Sequence, residues 1–123
     1  MILEPVLGEG GYIPAPPPFV EGIVERCREH GIVFIADEIQ SGLGRTGDWF
    51  AVDRLDVEPD ILIMGKGLGS GFPISALGTR RELDDLWPTG SHGCTYGGNP
   101  IGCAAAIATI EVMSEPGFMD NVR

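Results

Sequence analysis

Between residues 16 and 30 the apolar positions fall at Phe19, Val20, Ile23, Val24 and Cys27, three and four apart, and Gly31 follows. That spacing predicts an amphipathic helix stopped by glycine. Directly after it, Ile32-Val33-Phe34-Ile35-Ala36 is an unbroken apolar run of mostly β-branched and aromatic residues, the pattern of a strand buried on both faces of a parallel sheet. It ends abruptly at Asp37-Glu38. Pro59-Asp60 precedes a second run, Ile61-Leu62-Ile63-Met64, which ends at Gly65-Lys66. A third strand is predicted over residues 73–78 and a short helix over 80–86. Asn99-Pro100, an N-cap followed by proline, opens a last helix that runs to about Met113, and Gly102 and Ala104 within it imply close packing.

Helix followed by buried strand, twice over, predicts an α/β protein with a mostly parallel sheet. In such sheets ligands sit at the carboxyl ends of the strands. Here two strands end in opposite charges, Asp37 and Lys66, so both project toward one edge. The glycine- and proline-rich stretches 8–18 and 65–73 then read as ordered loops around a site, since long structureless loops in a compact chain are usually functional.

Charge narrows the partners. A formal net charge of −10 over 123 residues argues against nucleic acid or an anionic membrane, which need clustered cations, and leaves room for one small phosphate. No apolar stretch approaches the roughly 20 residues of a membrane span, and the N-terminus lacks the basic start of a signal peptide, so the chain reads as soluble and cytoplasmic. Cys27, Cys94 and Cys103 are odd in number and form no CxxC pair. They read as reduced, small buried fillers, not as a disulfide framework or a metal site. The eight basic residues are seven arginines and one lysine, Lys66. Arginine cannot replace lysine where an amine must lose its proton and attack a carbonyl.

A lysine amine condenses with an aldehyde to form an imine, and pyridoxal phosphate serves as an electron sink when a carboxylate keeps its ring nitrogen protonated. Lys66 and Asp37 supply that pair; an Asp37–Lys66 ion pair across two strand ends is the simpler reading of the two residues alone. A phosphate takes backbone N–H donors at a helix start and a hydroxyl, which Thr95, in the turn before the Asn99 helix, offers. A glycine-bounded turn is an equally good account of that segment. Gly42 to Gly47 matches GxGxxG, the dinucleotide fingerprint, but five residues separate it from the strand and Asp48-Trp49-Phe50 is a poor helix start. A phosphate-binding P-loop fails because Gly67 follows Lys66.

The strings EPVLGEGGY (4–12), IADEIQSGLGRTG (35–47), PDILIMGKGLGSGFPISA (59–76) and GSHGCTYGGNPIGCAAA (90–106) resemble, in order and spacing, the signature blocks of the class-III, or ω-amino-acid, aminotransferases. The resemblance covers nearly the whole chain and is nearest to 4-aminobutyrate aminotransferases, with acetylornithine and ornithine aminotransferases sharing much of the last block. It implies the central part of the large cofactor-binding domain of the aspartate-aminotransferase-like fold, with pyridoxal phosphate held by Lys66. By the same resemblance Asp37 binds the pyridine nitrogen, Ile39 packs on a ring face, and Gln40 reaches the phenolic oxygen. Thr95 binds the phosphate of the neighbouring subunit's cofactor, which implies a homodimer. Glu9 matches an acid that switches between amino-acid substrates by pairing with a distant arginine, and Glu4 lies one layer behind the cofactor; taken alone, each acid reads as a solvated loop carboxylate. The implied reaction is ping-pong transfer of an amino group from a small-molecule donor to a 2-oxo acid, 2-oxoglutarate by expectation. Leu7, where many members have glutamine, and Cys94, where threonine or serine is frequent, depart from the pattern. The chain is expected to be part of a longer protein, lacking the N-terminal part of the large domain and the C-terminal small domain, and inactive by itself.

Overall fold

The computed structural model describes all 123 residues. Four strands form the main sheet in the order β1 (Ile2–Leu3), β4 (Ile35–Asp37), β5 (Ile61–Met64) and β6 (Ala76–Thr79). The first two pairings are parallel and the last antiparallel. A small antiparallel pair, β2 (Val6–Leu7) with β3 (Ile13–Pro14), stands apart from it. The α/β, mostly parallel expectation holds, with two adjustments of detail. The strand expected over 32–36 begins only at Ile35, because the Asp60 carboxylate accepts the Phe34 N–H at 2.8 Å and Ile32 N–H turns back to the Cys27 carbonyl at 2.8 Å. The third strand starts after Pro73, which has no N–H for a ladder, and runs antiparallel at the sheet edge.

Helix α1 (Pro17–Glu29) is the predicted amphipathic helix. Its buried stripe, Val20, Val24 and Cys27, packs on Phe34 just before β4, on Ala36 within it, and on Val52 and Leu55 in and just after a following 3-10 turn (Ala51–Arg54). Burial of each large side chain here stabilises by roughly 1.5–3 kcal/mol relative to exposure. Helix α2 (Arg81–Asp84) is a single turn. Helix α3 (Pro100–Met113) starts as expected, the Asn99 side chain accepting the Gly102 N–H at 2.8 Å. Gly102 permits the close approach: a Cβ there would lie 3.2 Å from Ile74 Cδ1. Ala106 and Met113 complete a second core with Leu43 and Leu68, while Ile101, Ile107, Ile110 and Val112 are exposed. A helix apolar on every side is the pattern of one covered on every side. No helix is long and apolar enough to cross a membrane. Of the three free cysteines only Cys27 is buried; Cys94 is exposed on the loop before α3, which corrects the filler reading for that residue.

One charged cluster ties the last residue to the middle of the chain. Arg54 and Arg123 both pair with Asp48, and Arg123 also donates to the Gly47 carbonyl at 3.1 Å. The Arg54 guanidinium, then that of Arg123, holds the Asp48 carboxyl below its ordinary range, against a smaller upward push from burial. A folded-state pKa below the unfolded value, about 3.9 for aspartate, contributes stability that is complete above that value and lost as pH falls through the folded one. The hydrogen-exchange protection of residues 118–123, taken relative to the intrinsic rate at each pH, is therefore expected to fall below about pH 4. Arg123→Ala should show the same loosening at neutral pH.

Candidate active site

In the β4–β5 pairing Asp37 stands opposite Ile63, so Lys66 lies three residues beyond Asp37's partner, past the same carboxyl edge of the parallel strands. The backbone there turns sharply. Lys66 takes φ +39°, the left-handed region, and opens a 3-10 turn, Lys66–Gly69. A non-glycine residue held in that region costs on the order of 1–3 kcal/mol, and such strain clusters at ligand sites. The turn keeps the lysine exposed above the sheet edge, where Nζ donates to Gln40 Oε1.

Asp37 makes no ion pair with Lys66, which disposes of the simple strand-end pairing. Its Oδ1 accepts the Ile39 N–H at 3.1 Å, and its other oxygen takes no donor from the chain. Ile39 and Gln40 line a cleft of about 500 Å³ together with Lys66, Gly67, Tyr12, Arg45 and Thr46. The Oγ1 of Thr46 is buried with no hydrogen-bond partner. A larger hollow of about 630 Å³ against α3 is mostly apolar and has Arg45 as its one ionisable group, so the chemistry belongs to the cleft that holds Lys66.

The remaining expected residues are placed differently. Glu4 is half-buried and accepts the Gly8 N–H at 3.0 Å. Gly8 in turn presses on Gln40, since a Cβ there would come within 2.7 Å of Gln40 Cγ. Glu4 thus reaches the cleft through Gly8. Glu9 is exposed, with no partner in the chain. Thr95 is exposed in the turn before α3 and does not line the cleft. The Gly42–Gly47 segment opens into turns and no helix, so the dinucleotide reading falls.

Glu38 is what the sequence hid. A charged residue after a strand reads as solvated, yet this one is 0% exposed. Its carboxylate accepts Ser41 Oγ–H at 2.5 Å and Val52 N–H at 2.8 Å. The spacing Glu-x-x-Ser, one helical turn, was the available signal. Gly42 is obligatory beside it: a Cβ would lie 2.7 Å from the Glu38 carbonyl oxygen and 3.1 Å from Phe50. Gly42→Ala is expected to cost about 1–3 kcal/mol by overpacking, read as a lower urea midpoint.

The model of the class-III aminotransferase family matches residues 1–123. The chain belongs to that family. It is 49% identical over 123 residues to an acetylornithine aminotransferase of Corynebacterium efficiens, covering 100% of this chain and 31% of that protein. It is 46% identical over 121 residues to a probable 4-aminobutyrate aminotransferase of Bacillus subtilis, covering 98% and 28%. A solved ornithine aminotransferase of Toxoplasma gondii, described with partial occupancy of pyridoxal phosphate at its active site, superposes with a TM-score of 0.91 at 42% identity, over 97% of this chain and 28% of that one. The chain spans less than a third of the length of each of these proteins.

The family's cofactor is pyridoxal phosphate, and the residues of this aminotransferase segment fit it. An amine stands at the strand edge, a carboxylate with one oxygen free ends the neighbouring strand, and a buried hydroxyl without a partner lies in the cleft wall. A buried polar atom left unpaired costs on the order of 1–3 kcal/mol, so a polar ligand there has something to satisfy.

Proposed function

We propose that the protein carrying this segment is a transaminase that moves an amino group from an ω-amino acid, 4-aminobutyrate in the first place, to a 2-oxo acid such as 2-oxoglutarate. One observation carries the reading: the chain's single lysine, held in a strained left-handed turn, presents its amine in a cleft beside Gln40 at the edge where Asp37 ends the neighbouring strand.

Pyridoxal phosphate, when bound, supplies an aldehyde for the lysine and an electron sink for the carbon that bears the substrate's amine. Lys66 would hold it through Nζ, and the same amine, when free, would take up and return the proton at that carbon. Asp37 offers its free oxygen to the ring nitrogen; a carboxylate there favours the protonated ring. Ile39 packs on the ring and Gln40 directs its amide to the phenolic oxygen. Thr95, which does not line its own cleft, would serve the phosphate in a neighbouring subunit of a homodimer. Glu9, exposed on the loop between β2 and β3, selects among amino-acid substrates, and Glu4 holds the base of that loop.

A second donor, ornithine or N-acetylornithine, is favoured by the names of relatives as similar as the 4-aminobutyrate one. Mixing the loaded protein with each donor in turn, without acceptor, and following the cofactor's visible band separates the two. The first reading expects kcat/KM for 4-aminobutyrate at least about tenfold above the others, a difference within reach of one charged contact. A preference for ornithine or N-acetylornithine establishes the second. No reaction with any ω-amine would overturn both.

A further inference from the structure

Glu38 is the only carboxylate among the buried side chains, and no step proposed above uses it. Removing a carboxylate from water is costly unless its oxygens are well paired, and an apolar residue would fill the same space without that cost. Its environment shows what is gained. The Glu38 N–H donates to the Ile63 carbonyl on β5 at 3.0 Å, and its carbonyl accepts the Gly42 N–H at 2.9 Å. The side chain then binds Ser41 within the same turn and Val52 on the next one. Four bonds therefore fix a single turn, residues 38 to 42, between the end of β4 and the cleft. Ile39, Gln40, Ser41 and Gly42 of that turn line the cleft, whereas Glu38 is fully buried behind them and the Ser41 hydroxyl is turned onto its carboxylate. On the far side Gln40 is hemmed in by Gly8.

We propose that Glu38 is a positioning residue: its paired carboxylate, through Ser41, locks the turn that holds the Gln40 amide against Lys66 Nζ. The proposal rests on the reading of Lys66 and Gln40 as the cofactor-facing pair, but it concerns their mutual placement and is testable without cofactor.

The experiment is a double-mutant cycle on the cofactor-free protein. The rate at which acetic anhydride acetylates Lys66 is followed by mass mapping of its peptide, in Glu38→Ala, Glu38→Gln and Ser41→Ala, each with Gln40 present or replaced by alanine. Gln40→Ala is expected to raise the rate about threefold, the effect of losing one modest hydrogen bond. Glu38→Ala and Ser41→Ala should raise it by a similar factor when Gln40 is present and leave it unchanged in the Gln40→Ala background. Glu38→Gln keeps an acceptor for Val52 and a polar partner for Ser41, and should return the rate close to wild type. Non-additivity of this kind marks residues acting through one another.

Equal effects of Glu38→Ala in both backgrounds, no effect of it where Gln40→Ala has one, or no effect of Gln40→Ala at all would each overturn the proposal. Should Glu38→Ala fail to fold, Ser41→Ala decides, because it leaves the Val52 bond in place. In the loaded protein, the visible band of Ser41→Ala should move in the direction seen for Gln40→Ala. A complete absence of cofactor binding would sink the transaminase reading and leave the acetylation result to judge Glu38 by itself.

Discussion

Lys66→Ala is expected to lower turnover by at least about 10³-fold, because it removes both the covalent anchor and the proton carrier, and positioned proton transfer alone is worth 10²–10⁴. No other lysine in this segment stands ready to replace it, since its remaining Lys/Arg positions are arginines, which stay charged. Cofactor binding should survive in weakened, noncovalent form through Asp37, Gln40 and the phosphate contacts. Steady-state assay together with absorbance titration checks both halves. Turnover within tenfold of wild type would remove Lys66 from the chemistry.

The second large effect concerns Thr95. It is exposed and does not line the cleft, and as proposed above it would serve the cofactor of a neighbouring subunit. Thr95→Ala should weaken cofactor binding about tenfold through loss of a hydrogen bond to a charged group. When Thr95→Ala and Lys66→Ala proteins are dissociated, mixed and reassembled at limiting cofactor, one site in each hybrid dimer regains both residues. Random pairing then restores about a quarter of the wild-type sites, against about a tenth of wild-type occupancy for Thr95→Ala alone. If Thr95 served its own subunit, every hybrid site would lack one of the two, and mixing would gain nothing.

Much of the frame was legible because it rests on strong local signals. Val20, Val24 and Cys27 at helical spacing marked α1, the run 61–64 marked β5, and Asn99-Pro100 marked the start of α3. The strand ends at Asp37 and Lys66 placed the candidate site at one edge, as the parallel register confirms. What stayed hidden depends on partners distant in sequence. Ile2 and Leu3 form a strand only because β4 lies beside them, and the direction of β6 follows from its pairing with β5, which no local pattern encodes. The Lys66 turn is similar: flanking glycines suggest freedom, but the left-handed backbone at the lysine itself is visible only in the structure. Glu38 misled because burial of a charge depends on Ser41 and Val52 closing over it.

The most direct test of the account is borohydride reduction of the cofactor-loaded protein followed by peptide mass mapping. The expected result is a pyridoxyl adduct on the Lys66 peptide, lost in Lys66→Ala. An adduct on a lysine of the full protein outside this segment, or none on any peptide, would contradict the assignment of Lys66 and with it the mechanism built on the Asp37–Gln40–Lys66 edge.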